Sequence, residues 1–277
     1  MPELPEVETV RADLNKELAG QTVKGIKVDK PNLIKGSHLD FIKELTGAKF
    51  TGVRRQAKLL IFDLTKDGRD FHVVAHLKMT GRFLLREQSD QPDNYQHITI
   101  DIGGGKELRF CDLRQFGYLA ITSKEDLAKI LAGYGPEPLK DLTVEKFEEA
   151  LKRKLAIKKL LLDQAVFSGI GNIYANEALF EAKIQPERLA NTLSIKEASD
   201  LFQAISKVIT SGLTNRGTTT KDDSFKDIYN RAGSNAKYLR VYERTGQPCL
   251  NNCGDKIKKI MVGGRGTYFC PSCQPQL

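Results

Sequence analysis

The segment Cys249-Leu250-Asn251-Asn252-Cys253, followed after sixteen further residues by Cys270-Pro271-Ser272-Cys273, holds four of the chain's five cysteines. Two close pairs flanking a stretch that can fold back on itself suit a tetrahedral four-thiolate zinc site. Between them, Lys256–Met261 and Thr267–Phe269 read as paired strands, and Gly263-Gly264-Arg265-Gly266 supplies the turn. Cys249 and Cys253 enclose three residues, which lies within the two-to-four range of such knuckles. Four thiolates occupy every position on the ion and leave none for water or substrate. One structural Zn2+ is therefore expected, shaping a hairpin with Arg265 at its exposed tip. The fifth cysteine, Cys111, follows Leu108-Arg109-Phe110 and reads as a small buried hydrophobe.

Working outward, 277 residues provide for about two domains with a small appendage. A hydrophobic share of 40% and a charged share of 28% are those of a globular protein. No apolar run approaches the ~20 residues a membrane helix needs. The opening Met1-Pro2-Glu3-Leu4-Pro5-Glu6 is acidic and lacks the basic-then-apolar pattern of a secretory signal. A cytoplasmic protein with no membrane partner is expected, and a monomer is the simplest assembly. The net charge is +8 and is unevenly placed. From Lys237 to Leu277, seven basic residues (Lys237, Arg240, Arg244, Lys256, Lys258, Lys259, Arg265) stand against two acids, Glu243 and Asp255. A localised basic surface favours a polyanion, and nucleic acid is the commonest one.

Hydrophobic spacing sets the elements. Val7, Val10, Leu14 and Leu18 recur at steps of three and four, which predicts an amphipathic helix over residues 5–19 ending at Gly20. Alternating β-rich stretches follow at Val23–Val28, Lys49–Arg54, Leu59–Leu64, Phe71–Leu77, His97–Ile102 and Glu107–Ile121. This part, residues 1–132, reads as a β-sandwich or barrel with flanking helices. Past Gly133-Tyr134-Gly135-Pro136-Glu137-Pro138 the pattern turns helical. Val144, Phe147, Leu151 and Leu155 mark one helix, ending in the basic run Lys152–Lys159. Asn172 opens a second helix after the turn Ser168-Gly169-Ile170-Gly171, and Ser194 with Glu197 forms a capping box for a third. The predicted division is residues 1–132, 133–237 and 238–277, an α+β multidomain architecture.

Two further stretches carry chemistry. A glycine turn feeding the helix at Asn172 leaves backbone N–H groups available to a phosphate, with Lys158 and Lys159 nearby in sequence. Asn172 is placed either to cap that helix or to meet the phosphate itself. At the other end, removal of Met1 turns Pro2 into a terminal secondary amine, whose reference pKa near ~8 leaves a useful neutral fraction at pH 7. Such an amine attacking a sugar C1′ yields an iminium that labilises the protons at C2′. Glu3 and Glu6 follow closely, as proton donor and water-orienting carboxylate. Read alone, Pro and Glu are equally good residues for starting a helix.

The combination decides between these readings. Pro2-Glu3-Leu4-Pro5-Glu6-Val7-Glu8-Thr9-Val10 resembles the opening of the formamidopyrimidine-DNA glycosylase family. The resemblance continues, in order, through Arg54-Arg55-Gln56-Ala57-Lys58, His76-Leu77-Lys78-Met79 and Asp112-Leu113-Arg114-Gln115-Phe116-Gly117. It extends through Gly135-Pro136-Glu137-Pro138, residues 163–180, Val241-Tyr242 and Gly264-Arg265-Gly266-Thr267-Tyr268-Phe269-Cys270. It implies an N-terminal β-sandwich, a helix–two-turn–helix domain with a lesion-covering loop, and a C-terminal zinc-finger β-hairpin, with DNA bound in the cleft between. It further implies a bifunctional glycosylase and AP lyase of base excision repair that removes oxidised purines (8-oxoguanine, formamidopyrimidines) from damaged duplex DNA. No nucleotide cofactor is involved. Pro2 is implied as the Schiff-base nucleophile and Glu3 as proton donor for sugar-ring opening. Lys58 is the donor for β-elimination and Arg265 serves δ-elimination. Met79, Arg114 and Phe116 match residues that fill the hole left by an extruded base. His97, Arg153, Lys158, Asn172 and Tyr242 match DNA-contacting or basic positions.

Three features depart from the family's pattern. The Cys249/Cys253 spacing is one residue longer, Asn94-Tyr95-Gln96-His97 keeps a single histidine, and Thr218–Tyr238 matches poorly after Lys221. Two other functions compete: a glycosylase of the same superfamily acting on oxidised pyrimidines, and a non-catalytic zinc protein that binds DNA lesions. The second of these has no need of a free N-terminal proline.

Overall fold

The computed structural model describes residues 1–221 and 225–276. These form two compact units, Met1–Ala132 with Asn215–Ser234, and Gly133–Thr214 with Asn235–Leu277.

The first unit begins with α1 (Leu4–Leu18). A capping box starts it: the Glu3 side chain accepts from the Glu6 backbone while Glu6 Oε2 accepts from the Glu3 N–H at 2.9 Å. The apolar stripe Val7, Val10, Leu14 and Leu18 is fully buried, as its spacing requires. Then come β1 (Gly25–Val28), β2 (Ile34–Lys35), α2 (His38–Leu45), β3 (Lys49–Gln56), β4 (Leu59–Lys66), β5 (Arg69–His76), β6 (Gly81–Glu87), β7 (Gln96–Gly103), β8 (Lys106–Asp112), β9 (Tyr118–Thr122) and α3 (Lys124–Ala132). The strands build a four-stranded sheet, β1-β7-β8-β6, and a five-stranded sheet, β2-β9-β5-β4-β3. An aromatic chain joins their inner faces. Phe50 meets Phe62 at 6.1 Å, Phe62 crosses to Phe83 at 5.5 Å, and Phe83 meets Phe110 at 5.0 Å between ring centres. The two sheets thus share one core with α1 and α2, which makes the unit a β-sandwich with flanking helices.

The stretch predicted as a single strand over residues 107–121 is two strands lying in different sheets, β8 and β9. The chain leaves one layer at Asp112 and enters the other at Tyr118, so the five residues between must form a loop. Residues 215–234 also belong here: Phe225 and Ile228 enter the sandwich core, and the Leu85 N–H donates to Ile228 O at 2.8 Å.

In the second unit, α4 (Val144–Leu151) stops short of the basic run, and a separate α5 (Ile157–Leu162) follows. Thr143 caps α4 by accepting from the Lys146 N–H at 3.3 Å. Next come α6 (Asn172–Glu181) and α7 (Ile195–Thr214), the latter opened by the reciprocal Ser194–Glu197 capping box. Helix α6 is buried from Ile173 to Phe180, packing on α5, α7 and the C-terminal hairpin. That hairpin joins β10 (Lys258–Val262) to β11 (Arg265–Phe269), with Val262 opposite Arg265. Its two-residue turn places Gly263 at φ 58° and Gly264 at φ 73°, the left-handed pair of a type I′ turn, which suits glycine. The finger and the helices share a cluster of Phe180, Val241, Cys249, Ile257 and Cys270. The spatial division therefore differs from three consecutive segments in two respects. The helices and the finger are one unit, and residues 215–234 return to the sandwich. Among the described residues no helix is long and apolar enough to cross a membrane.

Candidate active site and nucleic-acid interface

At the start of the first unit, Pro2 is buried, Glu3 is 2% exposed and Glu6 is 1% exposed. Chain ends ordinarily fray unless something holds them. Here the Glu6 carboxylate does so with both oxygens: Oε2 takes the Glu3 N–H, and Oε1 takes the Thr218 N–H at 2.7 Å. The first residue of the 218–238 segment is thereby tied to the head of α1. The expected lesion-covering loop falls partly on residues 222–224, which lie outside the described residues.

Lys58 occupies the two-residue turn joining β3 to β4, beside Ala57, whose φ of 54° is left-handed. Arg55 braces this turn by donating to Ala57 O at 2.7 Å and to Glu8 on α1 at 2.9 Å. Burial alone raises the Glu8 carboxyl, but hydrogen bonds from Arg11 and Arg55 outweigh it and hold Glu8 below its ordinary value. Lys58 itself is 6% exposed. Beside it His76 ends β5; burial first, then repulsion from Lys78 and Lys58, lowers this imidazole to about 3. His76 Nδ1 accepts the Lys78 N–H at 3.0 Å, so the neutral ring carries its proton on Nε2. No role was assigned to His76 from sequence. The signal available was its place in the His76-Leu77-Lys78-Met79 stretch.

The three expected hole-filling side chains sit on two neighbouring turns. Met79 is half-exposed between Lys78, at φ 53°, and Thr80. Arg114 and Phe116 flank Gln115, at φ 54°, in the loop between β8 and β9. Phe116 is 55% exposed and the Arg114 guanidinium stacks on it at 4.8 Å. An exposed aromatic ring on a left-handed loop does nothing for the core. His97, expected as a DNA contact, is 6% exposed with Nε2 2.9 Å from Asp112 O. It props this loop from inside, because the ring has lost the surface a phosphate contact needs.

In the second unit, Arg153 is exposed on the turn after α4. Lys158 was expected at a DNA-contacting or basic position. Its side chain is fully buried, and Nζ donates to Asn176 Oδ1 at 2.9 Å, Gly266 O at 3.1 Å and Thr267 Oγ1 at 2.7 Å. An ammonium has three hydrogens, and these three bonds turn it inward as a strut. Asn172 does not cap α6, whose N-cap is Gly171; its Nδ2 donates to the same Gly266 O at 3.0 Å. The carbonyl beside Arg265 is thus fastened twice, which fixes the exposed arginine's root. Tyr242 packs edge-on against Tyr268 at 5.0 Å, and its N–H, with those of Arg240 and Val241, is gathered by the buried Glu177 carboxylate. Burial pushes Glu177 above the usual carboxylate range, against the pull of those three N–H groups.

The ligand atoms of Cys249, Cys253, Cys270 and Cys273 all lie within 4.8 Å of one another. Cys249 Sγ is 3.7 Å from Cys273 Sγ, and Cys253 Sγ is 3.5 Å from Cys270 Sγ. A tetrahedron with Zn–S near ~2.3 Å requires S–S edges of about 3.8 Å. The four sulfurs fit a single zinc, longer first knuckle included. Asn252 at φ 54° absorbs the tight local path of that knuckle.

A β-sandwich with a buried, carboxylate-lined N-terminus, a helical unit and a four-cysteine hairpin is the architecture of a zinc-finger DNA-repair glycosylase. Residues 1–119 match the formamidopyrimidine-DNA glycosylase N-terminal domain, 134–224 the H2TH domain of those enzymes, and 246–276 the zinc finger found in FPG and IleRS. The formamidopyrimidine-DNA glycosylase of Pelotomaculum thermopropionicum is 42% identical over 279 residues, covering 99% of each chain. That of Listeria monocytogenes is 39% identical, covering 99% of this chain and all of the relative. Lactococcus lactis Fpg in complex with abasic-site DNA superposes with a TM-score of 0.91 at 34% identity, covering 99% of this chain and all of that one. MutM bound to DNA containing carbocyclic 8-oxo-G superposes with a TM-score of 0.90 at 34% identity and the same coverage. The chain belongs to the formamidopyrimidine-DNA glycosylase family and is a DNA glycosylase of base excision repair.

Proposed function

We propose that this glycosylase removes oxidised purines, 8-oxoguanine and formamidopyrimidines, from duplex DNA and then cleaves the strand by β,δ-elimination. The observation that carries the reading is the sealed N-terminus: Pro2 buried, with the carboxyl groups of Glu3 and Glu6 buried around it. The capping bonds of Glu3 and Glu6 offset the desolvation of two buried carboxyl groups. The same burial keeps a proton donor next to Pro2 in the chain, as a nucleophilic amine requires.

Pro2 nitrogen, freed by loss of Met1, forms a bond to C1′ as the glycosidic bond breaks and the base departs with a proton. Glu3 protonates the sugar ring oxygen, opening the ring to the iminium. Loss of a C2′ proton then expels the 3′ phosphate, with Lys58 serving that step, and a second elimination near Arg265 expels the 5′ phosphate. Glu6 orients water and fixes the Glu3 backbone. Met79, Arg114 and Phe116 enter the stack where the base has left, at a cost of a few kcal/mol for unstacking. Asn172, Arg153 and Tyr242 face phosphates, while Lys158 and His97 serve DNA by holding Arg265 and the wedge loop. The enzyme is cytoplasmic and monomeric.

Borohydride trapping tests this reading. A covalent adduct is expected with 8-oxoguanine duplexes in preference to oxidised-pyrimidine duplexes, and Pro2→Gly should abolish it. Preferential trapping on the pyrimidine lesion moves the substrate to the sister class. Binding without any adduct leaves a non-catalytic lesion binder, and Met1 retained in a fully active preparation removes the mechanism.

A further inference from the structure

We propose that Asp112 is the positioning residue that locks the two wedge-bearing turns into one rigid unit; this rests on the reading of Met79, Arg114 and Phe116 as hole-filling residues. Asp112 ends β8 and is 1% exposed. Its Oδ1 accepts from the Thr80 hydroxyl and from the Arg114 N–H at 3.2 Å, and its Oδ2 accepts from the Gly117 N–H at 2.7 Å. The Arg114 N–H is shared with Thr80 Oγ1 at 3.0 Å. Its own N–H donates to Tyr95 O at 3.0 Å, and its carbonyl meets His97 Nε2 at 2.9 Å. Three chain segments therefore converge on one residue. Each group bonded to its carboxylate lies next to a wedge residue or belongs to one: Thr80 follows Met79, the Arg114 N–H belongs to the wedge itself, and Gly117 follows Phe116.

Two observations show that the arrangement is built. Lys78 and Gln115, the neighbours of the wedge residues, both hold left-handed backbone that side-chain-bearing residues keep only when their surroundings over-determine it. Gly117 has no room for a side chain: a Cβ there lies 2.8 Å from Phe110 Cζ and 3.0 Å from Asp112 Oδ2. A buried carboxylate cannot itself meet DNA, whose phosphates repel it. The carboxylate accepts on both oxygens, whereas an amide at this site sets an N–H against the backbone N–H of either Gly117 or Arg114. Asp112→Asn then loosens the Arg114–Gly117 loop and its tie to the Met79 turn.

The test compares single-turnover excision of 8-oxoguanine from a duplex with borohydride trapping on a single-stranded oligonucleotide carrying an abasic site, which has no opposite base and no hole to fill. Asp112→Asn is expected to lose about tenfold more on the duplex than on the single strand. Thr80→Val, which removes one of the clamped donors and spares the carboxylate, is expected to show a smaller bias in the same direction. Equal losses on both substrates, in whichever of the two variants folds, overturn the inference by reducing Asp112 to a structural role. Phe116→Ala separates the layers. If it slows duplex excision and Asp112→Asn does not, the inference fails alone. If Phe116→Ala is also silent, the wedge reading fails beneath it.

Discussion

His76 and Lys158 show how burial redirects single residues. His76, lowered to about 3, is neutral over the range in which exposed histidines titrate, and its Nε2 proton points away from the bond to Lys78. In the unfolded chain the same ring has its ordinary pKa near ~6.5. Between these values the unfolded state binds more protons, so His76 adds stability above pH ~6.5 that is lost progressively as pH falls towards ~3. His76→Gln is expected to flatten the rise in urea midpoint between pH 4.5 and 7 relative to the parent protein; an unchanged slope would rule out the neutral buried ring. Lys158 and Lys159 adjoin in sequence and look alike as basic candidates. One is fully buried and the other exposed, a difference that charge patterning cannot express.

Among the elements, the C-terminal hairpin depends on two supports. Zinc closes its base, and at its tip Gly266 O is held by Lys158 and Asn172. Lys158→Met takes one donor from each of three acceptors; Gly266 O keeps Asn172 and Asn176 Oδ1 keeps the Tyr268 N–H, while Thr267 Oγ1 loses its donor at a cost of about 1–3 kcal/mol before relaxation. The expected result is faster amide exchange over β11 and a loss of a few kcal/mol in stability, with Lys159→Met near neutral. Equal effects from the two lysines would contradict the strut. Most elements were legible locally: the α1 stripe, the Ser194–Glu197 box and the Gly263-Gly264 turn each depend on residues a few positions apart. The break between β8 and β9 was not. Glu107–Ile121 alternates well enough to pass for one strand; the loop in its middle follows from β8 and β9 lying in different sheets, with Asp112 bonded at its start to Thr80, Arg114 and Gly117.

For the molecule as a whole, the net charge of +8 and the surplus between Lys237 and Leu277 favour a polyphosphate partner. If about six phosphates are neutralised, affinity for duplex DNA should fall roughly a thousandfold between 50 and 200 mM salt. A flat response, measured by fluorescence anisotropy, would detach the basic surface from binding. At the same scale, the compact units join segments that are separate in sequence. Residues 215–234 follow α7 in sequence, yet Arg216 pairs with Asp13 and Asp227, Tyr229 donates to Glu17 at 2.8 Å, and Phe225 and Ile228 lie in the sandwich core.

Taken by itself, the chain's order of residues determined the zinc ligands, most helices and strands, and the family, because each is written in spacing or in short contiguous motifs. Tertiary structure alone decided which basic residues face inward, which carboxylate ties Glu3 to Thr218, and how Asp112 gathers the turns of Met79 and Phe116. Those outcomes belong to groups tens or hundreds of positions apart, and only the packing of the core brings them within hydrogen-bond reach.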